Sequence, residues 1–118
     1  MASYPNPPQD RPDLAGWGQV LGEFFSERVT VLNHARSGAS SKSFFNGGLW
    51  KPALAAKPDF VFIQFGHNDN PGKGDRTTDP NGDFQDFLRR YIDEARTAGA
   101  TPLLVTPVSR RTYKDGTI

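Results

Sequence analysis

The chain has 118 residues, no cysteine and a formal net charge of +1, so it fits one domain with a modest core. The near-neutral charge gives no electrostatic basis for binding nucleic acid or an anionic membrane. The lack of cysteine excludes disulfides and thiolate catalysis and leaves the compartment open, and no apolar run approaches the roughly 20 residues needed to cross a bilayer.

The first third of the chain predicts a loop, a helix and a short strand. Residues 4–12 contain four prolines, which exclude a helix or a central strand. Residues 29–32, Val-Thr-Val-Leu, predict a short strand, and the polar residues 33–43 form a loop at its carboxyl end. An amphipathic helix is predicted over residues 13–26, with Asp13 as N-cap and one apolar face made of Leu14, Trp17, Leu21 and Phe24 or Phe25.

The remaining pattern alternates helices with apolar strands. Short helices are predicted over residues 41–46 and 49–56. The run 60–65 is apolar except for Gln64, which is typical of a strand buried on both faces of a parallel sheet. After a loop at 70–82, the clearest helix spans 84–98 with Gly99 just beyond its end. A buried strand at 103–105 and a hairpin signal, Asp115-Gly116, complete the predicted elements.

This alternation predicts an α/β fold with a doubly wound parallel sheet and helices on both faces. Such a unit normally opens with a strand, whereas this chain opens with a proline-rich loop that leads into a helix. We therefore expect residues 1–118 to form a single partial domain whose first strand is absent. Unpaired strand edges of this kind permit self-association.

Two loops at carboxyl ends of predicted strands carry the candidate chemistry. In an open α/β sheet this edge is where ligands bind. Gly38 lets the backbone approach a ligand without a Cβ in the way, and Asn68 offers a neutral side-chain amide. A glycine N–H and an asparagine amide directed at one point are the components of an oxyanion hole.

Structural roles are the alternatives for each of these residues. Asn68 is also a common turn residue and Gly38 a common loop residue. His67 orders the loop or acts as a base, and Asp69 satisfies backbone N–H groups or contacts substrate. The acidic residues from Asp69 to Asp86 do not match the spacing of a calcium loop, and we expect no metal site.

Two segments resemble conserved blocks of the SGNH (GDSL-type) hydrolases. The segment N-H-A-R-S-G-A-S-S-K-S-F at 33–44 is similar to the second block, and F-I-Q-F-G-H-N-D at 62–69 is similar to the third. The G-H-N-D variant, with G-W-G-Q at 16–19, most resembles the rhamnogalacturonan acetylesterase branch. The resemblance implies a flavodoxin-like three-layer fold and a serine esterase that acts on acetylated carbohydrate without a cofactor. It also implies that Gly38 and Asn68 are the oxyanion donors.

The chain departs from that family pattern in its nucleophile and base. The family's G-D-S block and D-x-x-H block do not occur in these 118 residues, and the two histidines, His34 and His67, are in other contexts. We expect a fragment whose nucleophile lies just upstream of Met1 and whose His–Asp pair lies downstream of Ile118. The alternatives are a non-catalytic domain that binds carbohydrate or a partner, and a self-contained α/β domain of unrelated function.

Overall fold

The computed structural model describes residues 16–109 of the chain. The predicted proline-rich loop, the helix start at Asp13 and the Asp115-Gly116 hairpin lie outside these residues. In chain order the described elements are α1 (Trp17–Val20), a 3-10 turn (Leu21–Phe24), α2 (Ser41–Asn46), α3 (Trp50–Ala55), β1 (Phe60–Ile63), a second 3-10 turn (Gly74–Arg76), α4 (Asp83–Thr97) and β2 (Thr101–Leu104).

The two strands pair in parallel through a helical crossover, and this confirms the α/β class. Phe60 lies opposite Thr101, and Ile63 lies opposite Leu104. Helix α4 connects the carboxyl end of β1 to the start of β2, as a parallel pair requires. The β-run predicted at 60–65 is therefore present, although regular pairing ends at Ile63 because the chain turns into a loop there.

The core lies on one face of this sheet, where α4 packs. Phe87, Tyr91 and Ala95 are spaced by four residues, so they share one side of α4, and all three are buried. The Tyr91 ring is fully buried against the rings of Trp50 at 4.9 Å and Phe65 at 5.0 Å between centroids. These contacts join α3, α4 and the end of β1 into one aromatic cluster.

The opposite face of the sheet is largely open in the described part of the chain. Phe60 and Phe62 are 62% and 47% exposed, so the prediction that this strand is buried on both faces is wrong. Leu103 of β2, which is paired with Phe62 and so lies on the same face, is also exposed. Within residues 16–109, the aromatic contact on this face is the edge-to-face packing of Trp17 in α1 on Phe62, with 6.3 Å between the ring centroids.

The predicted strand at residues 29–32 is wrong, because these residues have no regular secondary structure. Val29 and Leu32 are exposed. Within residues 16–109 the sheet consists of β1 and β2 alone, so this segment is paired with no described strand. An extended segment without such a partner is not stable as a strand in water.

The N-terminal helix is shorter than predicted. Helix α1 starts at Trp17 after Gly16 and passes into a 3-10 turn at Leu21. Phe24 is 79% exposed, so the predicted apolar face is not packed at this end. Gly22 lies within the segment and lowers its helix propensity.

The remaining helices agree with the sequence. Helix α2 has the predicted bounds, and Ser40 caps it by accepting from the Ser43 amide. Helix α3 is one residue shorter than predicted at each end. Gly99 follows α4 with a φ of 85°, the left-handed conformation that ends many helices. No helix in residues 16–109 is long and apolar enough to span a membrane.

Tyr91 links α4 to α2 by a buried hydrogen bond as well as by packing. Its phenol donates to the Ser41 carbonyl at 2.6 Å. Burial, together with the negative charges of Asp69 and Glu94, raises the pKa of the Tyr91 phenol far above its usual value. The phenol therefore stays neutral and keeps its donor proton in the folded chain.

We predict that Tyr91→Phe lowers the free energy of unfolding by about 1–2 kcal/mol at neutral pH, because the buried Ser41 carbonyl loses its hydrogen bond from the phenol. The difference should shrink above pH ~10, where the unfolded chain ionises this tyrosine and the wild type loses stability that the variant never had. Urea unfolding of both chains at pH 7 and in alkaline buffer measures it. A difference that is constant or grows with pH contradicts the assignment.

Candidate functional site

The two loops that carry Gly38 and Asn68 meet in the structure. Asn68 Nδ2 donates a hydrogen bond to the carbonyl oxygen of Ala39 at 3.2 Å. Because a carbonyl can only accept, this contact fixes which end of the carboxamide faces Ala39. Nδ2 carries two hydrogens, so one remains to donate elsewhere. Asn68 thus lies beside the residue that follows Gly38, and its second Nδ2 hydrogen has no acceptor within residues 16–109.

Gly38 is held in a conformation that suits glycine. Its φ is 81°, in the left-handed region that other residues rarely adopt. It lies in a turn closed by the Ala39 amide, which donates to the Arg36 carbonyl at 3.2 Å. The Gly38 carbonyl accepts from Arg76 Nη1 at 3.0 Å. Its own N–H has no acceptor within residues 16–109.

Asp69 lies next to Asn68 and is buried, with 6% of its surface exposed. Its carboxylate accepts from the Gly66 amide at 3.0 Å and from Thr78 Oγ1 at 2.9 Å. It also accepts from the amide of Ser41 at 3.2 Å and from the Ser41 hydroxyl. One carboxylate therefore joins the end of β1, the start of α2 and the loop that precedes α4.

The two histidines differ in position. His67 is partly exposed between Gly66 and Asn68, and its carbonyl accepts from Asn70 Nδ2 at 3.4 Å. His34 is exposed in the loop after the unpaired segment 29–32. Within residues 16–109, no group of three or more histidine and acidic side chains is arranged to hold a metal ion.

A wide groove of about 1220 Å³ borders the site. Gly38, His67 and Asn68 line it at the carboxyl end of β1, and Phe60 and Phe62 line it along the open face of the sheet. Gly38 and Asn68, each of which carries a hydrogen-bond donor, therefore border the same groove.

Sequence reasoning named Gly38, Asn68 and Asp69 as candidates but did not predict that Ser41 and Thr78 contact Asp69 or that Arg76 contacts Gly38. The spacing of Ser40 and Ser43 signals the start of a helix, but nothing in the sequence shows that the Ser41 hydroxyl meets Asp69. Thr78 and Arg76 lie in a loop dense in glycine and proline, where a polar side chain is normally exposed to solvent.

Comparison with known proteins identifies the family that the two sequence segments resemble. Residues 3–117 match the model of the GDSL-like Lipase/Acylhydrolase family. The chain is 46% identical over 112 residues to the rhamnogalacturonan acetylesterase RhgT of Bacillus subtilis (strain 168). It is 42% identical over 110 residues to a protein of the same organism named "Probable rhamnogalacturonan acetylesterase YesY". No solved structure matches significantly.

The matches cover most of this chain but only part of each relative. They include 92% of the chain and 46% of RhgT, and 91% of the chain and 51% of YesY. The chain therefore spans about half the length of these two curated relatives.

We predict that Asp69→Asn lowers the free energy of unfolding by about 2–4 kcal/mol, because an amide in this position cannot accept from all of the buried donors that the carboxylate satisfies. Urea unfolding followed by circular dichroism measures the loss. Asp93→Asn on the exposed side of α4 is the matched control and should change stability by less than ~0.5 kcal/mol. Equal effects of the two substitutions would show that the Asp69 contacts do not hold the loops.

Proposed function

Because the chain belongs to the GDSL-like lipase/acylhydrolase family, we propose that it supplies the oxyanion hole of a carbohydrate acetylesterase. In this proposal Gly38 and Asn68 are the donors, and the reaction is hydrolysis of an acetyl ester on a polysaccharide. The substrate class is supported by the names of RhgT, a rhamnogalacturonan acetylesterase, and YesY, named a probable one. They also favour hydrolysis over the alternative of a non-catalytic carbohydrate-binding domain.

The chemistry of acyl transfer explains what these two donors do. A serine nucleophile attacks the acetyl carbonyl carbon, and a histidine held by an aspartate takes the serine proton. The carbonyl oxygen becomes an oxyanion, which accepts hydrogen bonds from the Gly38 N–H and from Asn68 Nδ2. The tetrahedral intermediate then expels the sugar oxygen, which takes the proton from histidine, and water releases acetate by the same steps.

Residues 1–118 contain neither the G-D-S motif of the nucleophile nor the D-x-x-H motif of the base. The proposal therefore assigns these groups to segments outside this sequence. His67 is adjacent to the oxyanion donors but has no D-x-x-H context, and we assign it to ordering of the loop.

The observation that supports the proposal most strongly is the pair of uncommitted donors in adjacent loops. The Gly38 N–H has no acceptor among residues 16–109. Asn68 Nδ2 donates one hydrogen to Ala39, and its other hydrogen has no acceptor among the same residues. Donors that are fixed in place but unpaired cost no reorganisation when charge develops beside them, which is the property an oxyanion hole needs.

We predict that the isolated 118-residue chain does not turn over p-nitrophenyl acetate, because it has no activated nucleophile. Release of p-nitrophenolate against a buffer blank measures this. A saturable rate that disappears in Asn68→Ala would show that the chain carries a nucleophile of its own, and the assignment of roles would be wrong.

We predict that a hybrid enzyme, in which residues 1–118 replace the matching segment of RhgT, hydrolyses acetyl esters, and that Asn68→Ala lowers its kcat by about 10²- to 10³-fold. Asn70→Ala is the matched control, because Asn70 is an exposed asparagine two residues away. Steady-state kinetics with acetylated rhamnogalacturonan and with p-nitrophenyl acetate measure both. If Asn68→Ala behaves like Asn70→Ala, the oxyanion assignment is wrong.

A further inference from the structure

Two consecutive carbonyls of the Gly38 loop are held by side chains from beyond β1. Arg76 Nη1 donates to the Gly38 carbonyl at 3.0 Å, and Asn68 Nδ2 donates to the Ala39 carbonyl at 3.2 Å. Asn68 already has a role as a donor to the oxyanion. Arg76 has none in the family-derived assignment, although its contact is the shorter of the two.

Glycine at this position needs an external restraint. Without a Cβ, Gly38 exchanges between positive and negative φ at little cost, and its N–H would change direction with it. A Cβ at Gly38 would lie 3.7 Å from Arg76 Nη1, so the guanidinium packs directly against the glycine as well as bonding its carbonyl. The restraint is therefore applied at the residue whose N–H must keep its direction.

The backbone that carries Arg76 is itself held by hydrogen bonds. It ends the 3-10 turn Gly74–Arg76, and its amide donates to the Lys73 carbonyl at 3.2 Å. The next residue, Thr77, accepts from the Lys73 amide and donates to the Asn70 carbonyl, both at 2.9 Å. Thr78 then bonds the buried Asp69 carboxylate. The backbone that carries Arg76 is thus tied, two residues further on, to the carboxylate of Asp69, the residue that follows Asn68.

The charge of Arg76 is not neutralised by an acid in the described part of the chain. Arg89 pairs with Asp86 on the surface of α4 at 3.1 Å, but no carboxylate within residues 16–109 lies in ion-pair contact with Arg76. The hydrogen bond of this partly buried guanidinium goes to a neutral carbonyl. Its positive charge is therefore not cancelled and acts on the groups around it. Here the surroundings are the Gly38 loop.

We propose that Arg76 is a positioning residue of the oxyanion hole: its guanidinium fixes the Gly38–Ala39 peptide so that the Gly38 N–H stays directed at the reacting oxygen. The inference rests on the proposed function of Gly38 and Asn68. Arg76 does not touch the substrate in this account. It acts through Gly38, and its positive charge adds to the field that favours the oxyanion.

The test uses Arg76→Ala and Arg76→Lys in the RhgT hybrid, with Arg89→Ala as the matched control on the exposed face of α4. We expect Arg76→Ala to lower kcat by about 10- to 100-fold, the effect of a misplaced catalytic group, while KM stays within about twofold because ground-state binding is not involved. Arg76→Lys should recover part of kcat, because an ammonium can reach the same carbonyl but without the rigid fork of arginine. Thermal unfolding of each variant separates this effect from a loss of fold.

A second measurement uses the 118-residue chain itself and needs no turnover. The Ala39 nitrogen shares a peptide group with the Gly38 carbonyl, so loss of the Arg76 bond should move the ¹⁵N signal of Ala39 in Arg76→Lys and Arg76→Ala. The same signal should not move in Arg89→Ala. An unchanged Ala39 signal in the Arg76 variants overturns the inference.

The kinetic outcomes distinguish this inference from the proposed function. If Arg76→Ala keeps the kcat of the parent hybrid while Asn68→Ala loses it, the positioning role is wrong and the oxyanion assignment stands. If Asn68→Ala also keeps its kcat, the oxyanion assignment itself fails. A parallel loss of kcat and thermal stability in Arg76→Ala, with no recovery in Arg76→Lys, assigns Arg76 to the fold alone and also overturns the inference.

Discussion

The buried carboxylate of Asp69 is the constraint on which the arrangement of the site depends. It accepts hydrogen bonds from the end of β1, from the first residue of α2 and from the loop before α4. Charged acceptors form stronger hydrogen bonds than neutral ones, and a buried carboxylate is stable only where such donors surround it. Because Asn68 precedes Asp69 and Ala39 lies two residues before Ser41, fixing Asp69 against Ser41 brings the two loops together.

The aromatic core also stabilises this arrangement, through Tyr91. Tyr91 is fully buried and bonds the Ser41 carbonyl, so the same residue of α2 is held through its amide and hydroxyl by Asp69 and through its carbonyl by α4. Packing on one face of the sheet is thus connected to the position of a loop at the sheet's edge. The site depends on helix α4 even though no residue of α4 lies in it.

The sequence predicted the elements whose stability is local or comes from the packed face. Helices α2 and α4 were predicted close to their observed bounds, and the apolar runs that became β1 and β2 were also recognised. The segment 29–32 was not predicted correctly, because strand formation depends on a pairing edge that no local pattern reveals. The family resemblance singled out Gly38 and Asn68 as candidates. Arg76 and Thr78 were not found, because their contacts span long separations between irregular loops.

A crystal structure of the RhgT hybrid, inactivated with an acetyl-ester-like phosphonate that bonds to its nucleophile, tests the central claim most directly. The account predicts that one phosphonate oxygen lies about 2.7–3.1 Å from both the Gly38 nitrogen and Asn68 Nδ2, with Arg76 still bonded to the Gly38 carbonyl. A phosphonate oxygen held by other donors, with Gly38 and Asn68 both turned away from it, would contradict the account.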